Sequence, residues 1–80
     1  MSLAIKIRAA KEMKMKSIKN TIEDLIVRAV LEENPQVNYH FKSKHKSCIE
    51  DYLRENNVVY SVGSGYNGDE ILTISIKQFD

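Results

Sequence analysis

Lys42, Lys44, His45 and Lys46 fall within five consecutive residues, and Ser47, Cys48, Ile49 and Glu50 follow directly. Ser47 with Glu50 three positions later is a capping box, the pattern that opens a helix. The first N–H groups of a helix have no backbone partner, and that end carries partial positive charge. Cations there are mildly unfavourable for stability, and a bound anion would reverse the penalty. The chemistry this run could do is therefore to hold phosphates: Lys42, Lys44, His45 and Lys46 by charge, and Ser47 through its hydroxyl. The plainer account of the same residues is a solvated loop whose lysines aid solubility.

Other reactive types are sparse. His40, His45 and Cys48 give a His-x4-His-x2-Cys spacing that lacks a fourth ligand and matches no familiar zinc pattern, so no metal is expected. No cofactor motif is present. His40 or His45 could act as a general base in a small ribonuclease, with Lys44 or Lys46 steadying the phosphate. No supporting constellation accompanies them, so the chain is read as a non-enzyme. Cys48 lies in the first helical turn near lysines, which lowers a thiol pKa, but nothing pairs it with a base or a second cysteine. A small filler beside Ile49 is the simpler role. The glycine-rich residues 63–68 join two strands, carry no lysine and lead into Asp69 and Glu70. They form a turn rather than a phosphate loop. Tyr66 and Asn67 at its tip are the candidate contact with a protein partner.

Composition bounds the class. The 80 residues suit one small domain, 1–80, with residues 1–19 as a basic arm or an extra strand or helix. Such a chain buries only ~60% of its unfolded surface, and with one cysteine it has no disulfide framework to add stability. A homodimer would relieve the shortage of core, and the lone cysteine suits a reducing cytoplasm. No apolar run is long enough to span a membrane, and no signal peptide is recognisable. Net charge is only +1 but uneven. Residues 1–47 hold ten Lys/Arg against five Asp/Glu, and residues 48–80 hold two against six. That asymmetry favours a dipolar surface with one basic side.

Hydrophobic periodicity places these residues on elements. Leu3, Ile5 and Ile7 alternate as in a strand, whereas residues 9–19 are rich in helix formers. Lys11 and Lys14 fall on the stripe between Ile7 and Ile18, which argues against one continuous helix and for a break near residues 17–20. Asn20 or Thr21 then caps a helix whose first turn holds Glu23 and Asp24. Ile22, Leu25, Ile26, Ala29 and Val30 face the core, widened by Val27 and Leu31. Pro35 ends this helix at residues 33–34. Val37, Tyr39 and Phe41 form a short strand, and a second helix runs over 48–56 with a left-handed stop at Asn56 and Asn57.

The chain closes as a hairpin. A three-residue loop of Tyr66, Asn67 and Gly68 puts Gly68 in the left-handed position and Gly65 opposite Asp69. Val62 then faces Leu72, Tyr60 faces Ile74 and Val58 faces Ile76, all on one buried side. The expected class is α+β, a small two-layer α/β sandwich of order (β or α)-α-β-α-β-β with a C-terminal β-hairpin. The terminal helix and hairpin also resemble a winged helix. The departure is that only one helix lies between the short strand and the hairpin, where a winged helix needs two.

Two functions follow. The first expectation is a small regulatory or adaptor protein that binds a protein partner. The nine Ile, nine Lys and six Asn suggest an AT-rich coding sequence, as in phage or mobile elements. The alternative is a nucleic-acid-binding module that contacts phosphates through the 42–46 cluster, with Lys6, Lys11, Lys14, Lys16, Lys19 and Arg8 as a second phosphate-tracking patch.

Overall fold

Helix propensity decides the N-terminal segment. In the computed structural model, which describes residues 2–80, a single helix α1 spans Leu3–Leu31. Met1, the first residue of the basic segment, lies outside the described residues. The expected break at residues 17–20 does not occur, and residues 3–8 are not a strand. The objection to a continuous helix was that Lys11 and Lys14 interrupt the apolar stripe. It fails because residues 2–14 are all exposed, so no core covers that part of the stripe. The Ala, Lys, Glu and Met residues there need only intrinsic propensity. Ser2, not Asn20 or Thr21, is the N-cap, its Oγ accepting from the Ile5 N–H at 3.4 Å. Thr21 instead donates its hydroxyl back to the Ser17 carbonyl at 2.9 Å, a common use of a mid-helix Thr.

The second half of α1 packs. Ile18, Ile22 and Ala29 are buried, with Leu25 and Ile26 half-buried beside them. Val27, Val30 and Leu31 were expected on the core face but are exposed. The helix ends at Leu31, two residues before the expected stop, with Glu33 in the left-handed region at φ 59 and the Asn34 N–H bonded to the Ala29 carbonyl at 2.9 Å. Pro35 follows and cannot continue the helix.

A three-stranded antiparallel sheet in the order β1-β3-β2 completes the fold. Strand β1 is Gln36–Lys42, β2 is Ser61–Ser64 and β3 is Asp69–Ser75. Val37 opposes Ile74, Tyr39 opposes Leu72 and Phe41 opposes Glu70. Val37, Phe41, Leu72 and Ile74 are buried with Ile49 and Leu53 of α2 (Lys46–Glu55), so this sheet face and both helices share one core. The opposite sheet face is polar: the Thr73 hydroxyl donates to the Asn38 side-chain oxygen at 3.1 Å, and His40 is exposed. One wet face is ordinary for an antiparallel sheet. The result is a small α+β fold.

The hairpin keeps the expected loop. Gly68 has φ 78, the Gly65 N–H donates to the Asp69 carbonyl at 2.9 Å, and Val62 opposes Leu72. The ladder stops sooner than expected, because β2 begins only at Ser61 and Ile76 opens a 3-10 turn (Ile76–Phe79). Tyr60 with Ile74 and Val58 with Ile76 are therefore not strand pairs. The Gln78 amide stands in for the missing rungs, accepting from the Val59 N–H at 2.7 Å and donating to the Val59 carbonyl at 2.7 Å. Val58, Tyr60 and Val62 still pack against the core.

Candidate anion-binding groove

The expected capping box does not form. Residues Ser43–His45 make a 3-10 turn that runs straight into α2, whose N-cap position is His45 with no side-chain cap. Ser47 is therefore inside the first turn, exposed, rather than at the helix entrance. Glu50 is taken elsewhere, accepting from the Tyr60 hydroxyl at 2.6 Å and pairing with Arg54 at 3.2 Å. The Tyr60 hydrogen bond is the leading cause that holds the Glu50 carboxyl below the usual range. Ser43 ties the turn to the hairpin, its hydroxyl donating to the Gly68 carbonyl at 2.5 Å.

This geometry splits the basic cluster in two. Lys42 lies 3.8 Å from Asp69, and Lys46 lies 3.5 Å from Glu70. Both acids sit at the start of β3, and strand alternation turns Glu70 to the same side as Leu72 and Ile74. Its Oε2 is buried without a hydrogen-bond partner, and Lys46 lies against the other oxygen, Oε1, as the counter-charge of the carboxylate. These two lysines thus have local electrostatic partners. Among the described residues Lys44 and His45 have no such partner, and they line a groove with α1 instead.

There the exposed first half of α1 passes over the 3-10 turn. Ile7, Ala10, Lys11, Lys14 and Met15 line one wall of an open groove, and Lys44 with His45 line the other. The groove continues past Lys14 toward Ile18, Tyr39 and Phe41, where His40 and Lys42 line it together with Lys44 and His45. Among the described residues, no Asp or Glu lines either part. The lining combines apolar Ile7, Ala10 and Met15 with cationic Lys11, Lys14 and Lys44. His45 registers that crowding: desolvation first, then the charges of Lys44, Lys14 and Lys42, push its pKa below the usual 6.5. An anion in the groove would relieve the repulsion among these groups.

Comparison with protein families, with curated proteins and with solved structures returns no significant match to this chain. Its chemistry must be read from its own side chains.

Lys11 and Lys14 belong to the N-terminal basic segment, a candidate second phosphate patch in the sequence, and the fold brings these two to the same groove as Lys44 and His45. Their signal was present, since both fall on the extension of the core stripe of α1 and so point the same way as Ile18. The remaining candidates are dispersed. Tyr66 is 90% exposed at the hairpin tip, next to Asn67 at φ 53. His40 lies on the outer sheet face and Cys48 is half-buried in α2. Among the described residues, no three His, Cys, Asp or Glu side chains converge as a metal site. The exposed side of α2 carries Asp51 and Glu55 with Arg54, and Arg54 pairs with Asp51 at 3.5 Å. That acidic surface would repel a phosphate backbone.

Proposed function

We propose that this chain is a non-enzymatic nucleic-acid-binding module that holds phosphates in the groove between the first half of α1 and the 3-10 turn. The observation that carries the reading is the convergence of Lys11, Lys14, Lys44 and His45 on one groove with no carboxylate in its walls among the described residues. Phosphate contacts of this kind fix position without reading sequence. The apolar lining of Ile7, Ala10 and Met15 gives a base or sugar a surface to lie on. Lys42 and Lys46 contribute less to phosphate binding, because Asp69 and Glu70 already offset their charge. The same reading puts the protein in the cytoplasm with its thiol reduced. A homodimer fits it, because two copies bring two grooves to one polyanion. No helix among the described residues is long and apolar enough to cross a membrane.

The test is an amide-resolved NMR titration with a short single-stranded oligonucleotide and with a duplex, at low salt. The reading expects shifts that cluster at Lys11, Lys14, Lys44 and His45 and leave Asp51 and Glu55 unmoved. Shifts confined to α2, or none with either probe, would overturn it. A second reading, a regulatory or adaptor protein bound to a protein partner, rests on the exposed Tyr66 at the hairpin tip. Tyr66→Ala would abolish that binding and leave the oligonucleotide titration unchanged.

A further inference from the structure

The side of α1 that faces away from the core carries its own pattern. Ile5, Ala9, Met13, Lys16, Asn20, Asp24, Val27 and Leu31 follow one another at steps of three or four residues, and all eight are exposed. At about 100° per residue they line one stripe. It points away from Ile18, Ile22 and Ala29, and so away from the basic groove. The two ends of the stripe are apolar and the middle is polar. Ile5 and Met13 at one end are 58% and 71% exposed, and Val27 and Leu31 at the other are 57% and 78%, so each end offers a short apolar patch to a partner.

The charges choose the occupant. Residues 3–19 hold six bases and one acid, and residues 20–33 hold one base and four acids. The helix is thus basic in its first half and acidic in its second, on top of its own dipole. A second copy laid antiparallel matches each half with its opposite. A register centred near residue 18 sets Ile5 against Leu31 of the partner subunit and Ala9 against Val27 of the partner subunit. In the middle, Lys16 comes within reach of Asp24 of the partner subunit. A parallel copy would instead stack the two basic halves and set Lys16 on Lys16 of the partner subunit. The polar positions Lys16, Asn20 and Asp24 between the apolar ends set the orientation, as polar groups within a helix seam do.

We infer that the outward stripe of α1 is the surface on which a second copy of this chain docks, antiparallel and two-fold symmetric. An isologous contact of this kind is self-complementary, because each end of the stripe meets the other end of its copy. The inference rests on the homodimer in the proposed function, and it does not depend on nucleic-acid binding.

Sedimentation velocity of the full chain from low to high micromolar concentration is the first measurement. The inference expects a dimer that Met13→Glu with Val27→Glu weakens by at least tenfold in Kd. Both positions are exposed in the monomer, so circular dichroism should show the fold unchanged. Orientation is read by mild oxidation on a Cys48→Ser background. Ala9→Cys mixed with Val27→Cys should give a disulfide-linked pair, and Ala9→Cys alone should not. A monomer at every concentration would overturn both the homodimer and its interface. A dimer indifferent to the double variant, or a pair that forms with Ala9→Cys alone, would overturn the interface and leave the homodimer standing.

Discussion

At the scale of single residues, the partner of each lysine matters more than the number of lysines. Lys42, Lys44 and Lys46 are near neighbours in the chain but have different surroundings. Lys42 and Lys46 pair with acids of β3, Lys44 has the α1 groove before it, and Lys42 also borders the far end of that groove. Their exposed ion pairs contribute little stability individually, on the order of 0–1 kcal/mol. Their consequence is electrostatic, since each paired lysine attracts a further anion less. His45 gives this scale its prediction. Its folded pKa lies below the usual 6.5, so the unfolded chain takes up the proton first as pH falls. The stability that neutral His45 contributes is present above 6.5 and is lost as pH drops through that value toward the folded one. A phosphate in the groove favours the protonated form, so oligonucleotide binding should be tighter in mild acid than at neutral pH. It should also raise the His45 titration midpoint seen by NMR. In His45→Gln the pH dependence of binding should flatten. A midpoint unmoved by the oligonucleotide would take His45 out of the site.

At the scale of elements, what was legible is what the local pattern determines. The strand of Val37, Tyr39 and Phe41, the second helix and the three-residue hairpin loop all follow from alternation, spacing and turn chemistry. A helix from about Ser2 is one of the two readings the sequence allows, but its continuity across residues 17–20 is not legible, because Lys11 and Lys14 interrupt a stripe that no core covers there. Sequence periodicity says which face is apolar and not how far the core extends. The capping box failed for a related reason. Ser47 and Glu50 have the right spacing, but the 3-10 turn at Ser43–His45 starts the helical path earlier, and Tyr60 and Arg54 hold Glu50. The hairpin supplies the prediction at this scale. Gly68 occupies φ 78 with open space where a side chain would stand, so only backbone strain opposes substitution. Gly68→Ala should lower unfolding stability by about 1–2 kcal/mol, measured by urea denaturation, with the fold retained. Gly65→Ala differs in mechanism, since its Cβ would stand 3.0 Å from the Asp69 carbonyl oxygen.

At the scale of the whole molecule, α1 sets both shape and charge. Its 29 residues span roughly 43 Å at 1.5 Å per residue, close to the 47 Å long axis of the protein. The first half stands clear of the core and carries an excess of positive charge, which explains how a chain of net charge +1 can present a strongly basic side. The asymmetry of the two halves of the sequence was visible in composition. Which lysines meet across the fold was not, because that depends on the 3-10 turn lying under α1. The most direct test of the groove is fluorescence anisotropy of a labelled single-stranded oligonucleotide over a range of salt. Wild type would be compared with Lys11→Ala/Lys14→Ala/Lys44→Ala and with Lys42→Ala/Lys46→Ala. At roughly 0.7 per neutralised phosphate, the triple variant should lose about 2 from the slope of log affinity against log salt, and the double variant much less. Equal losses in the two variants, or a wild type that binds no oligonucleotide at low salt, would contradict the assignment of the groove as the phosphate site.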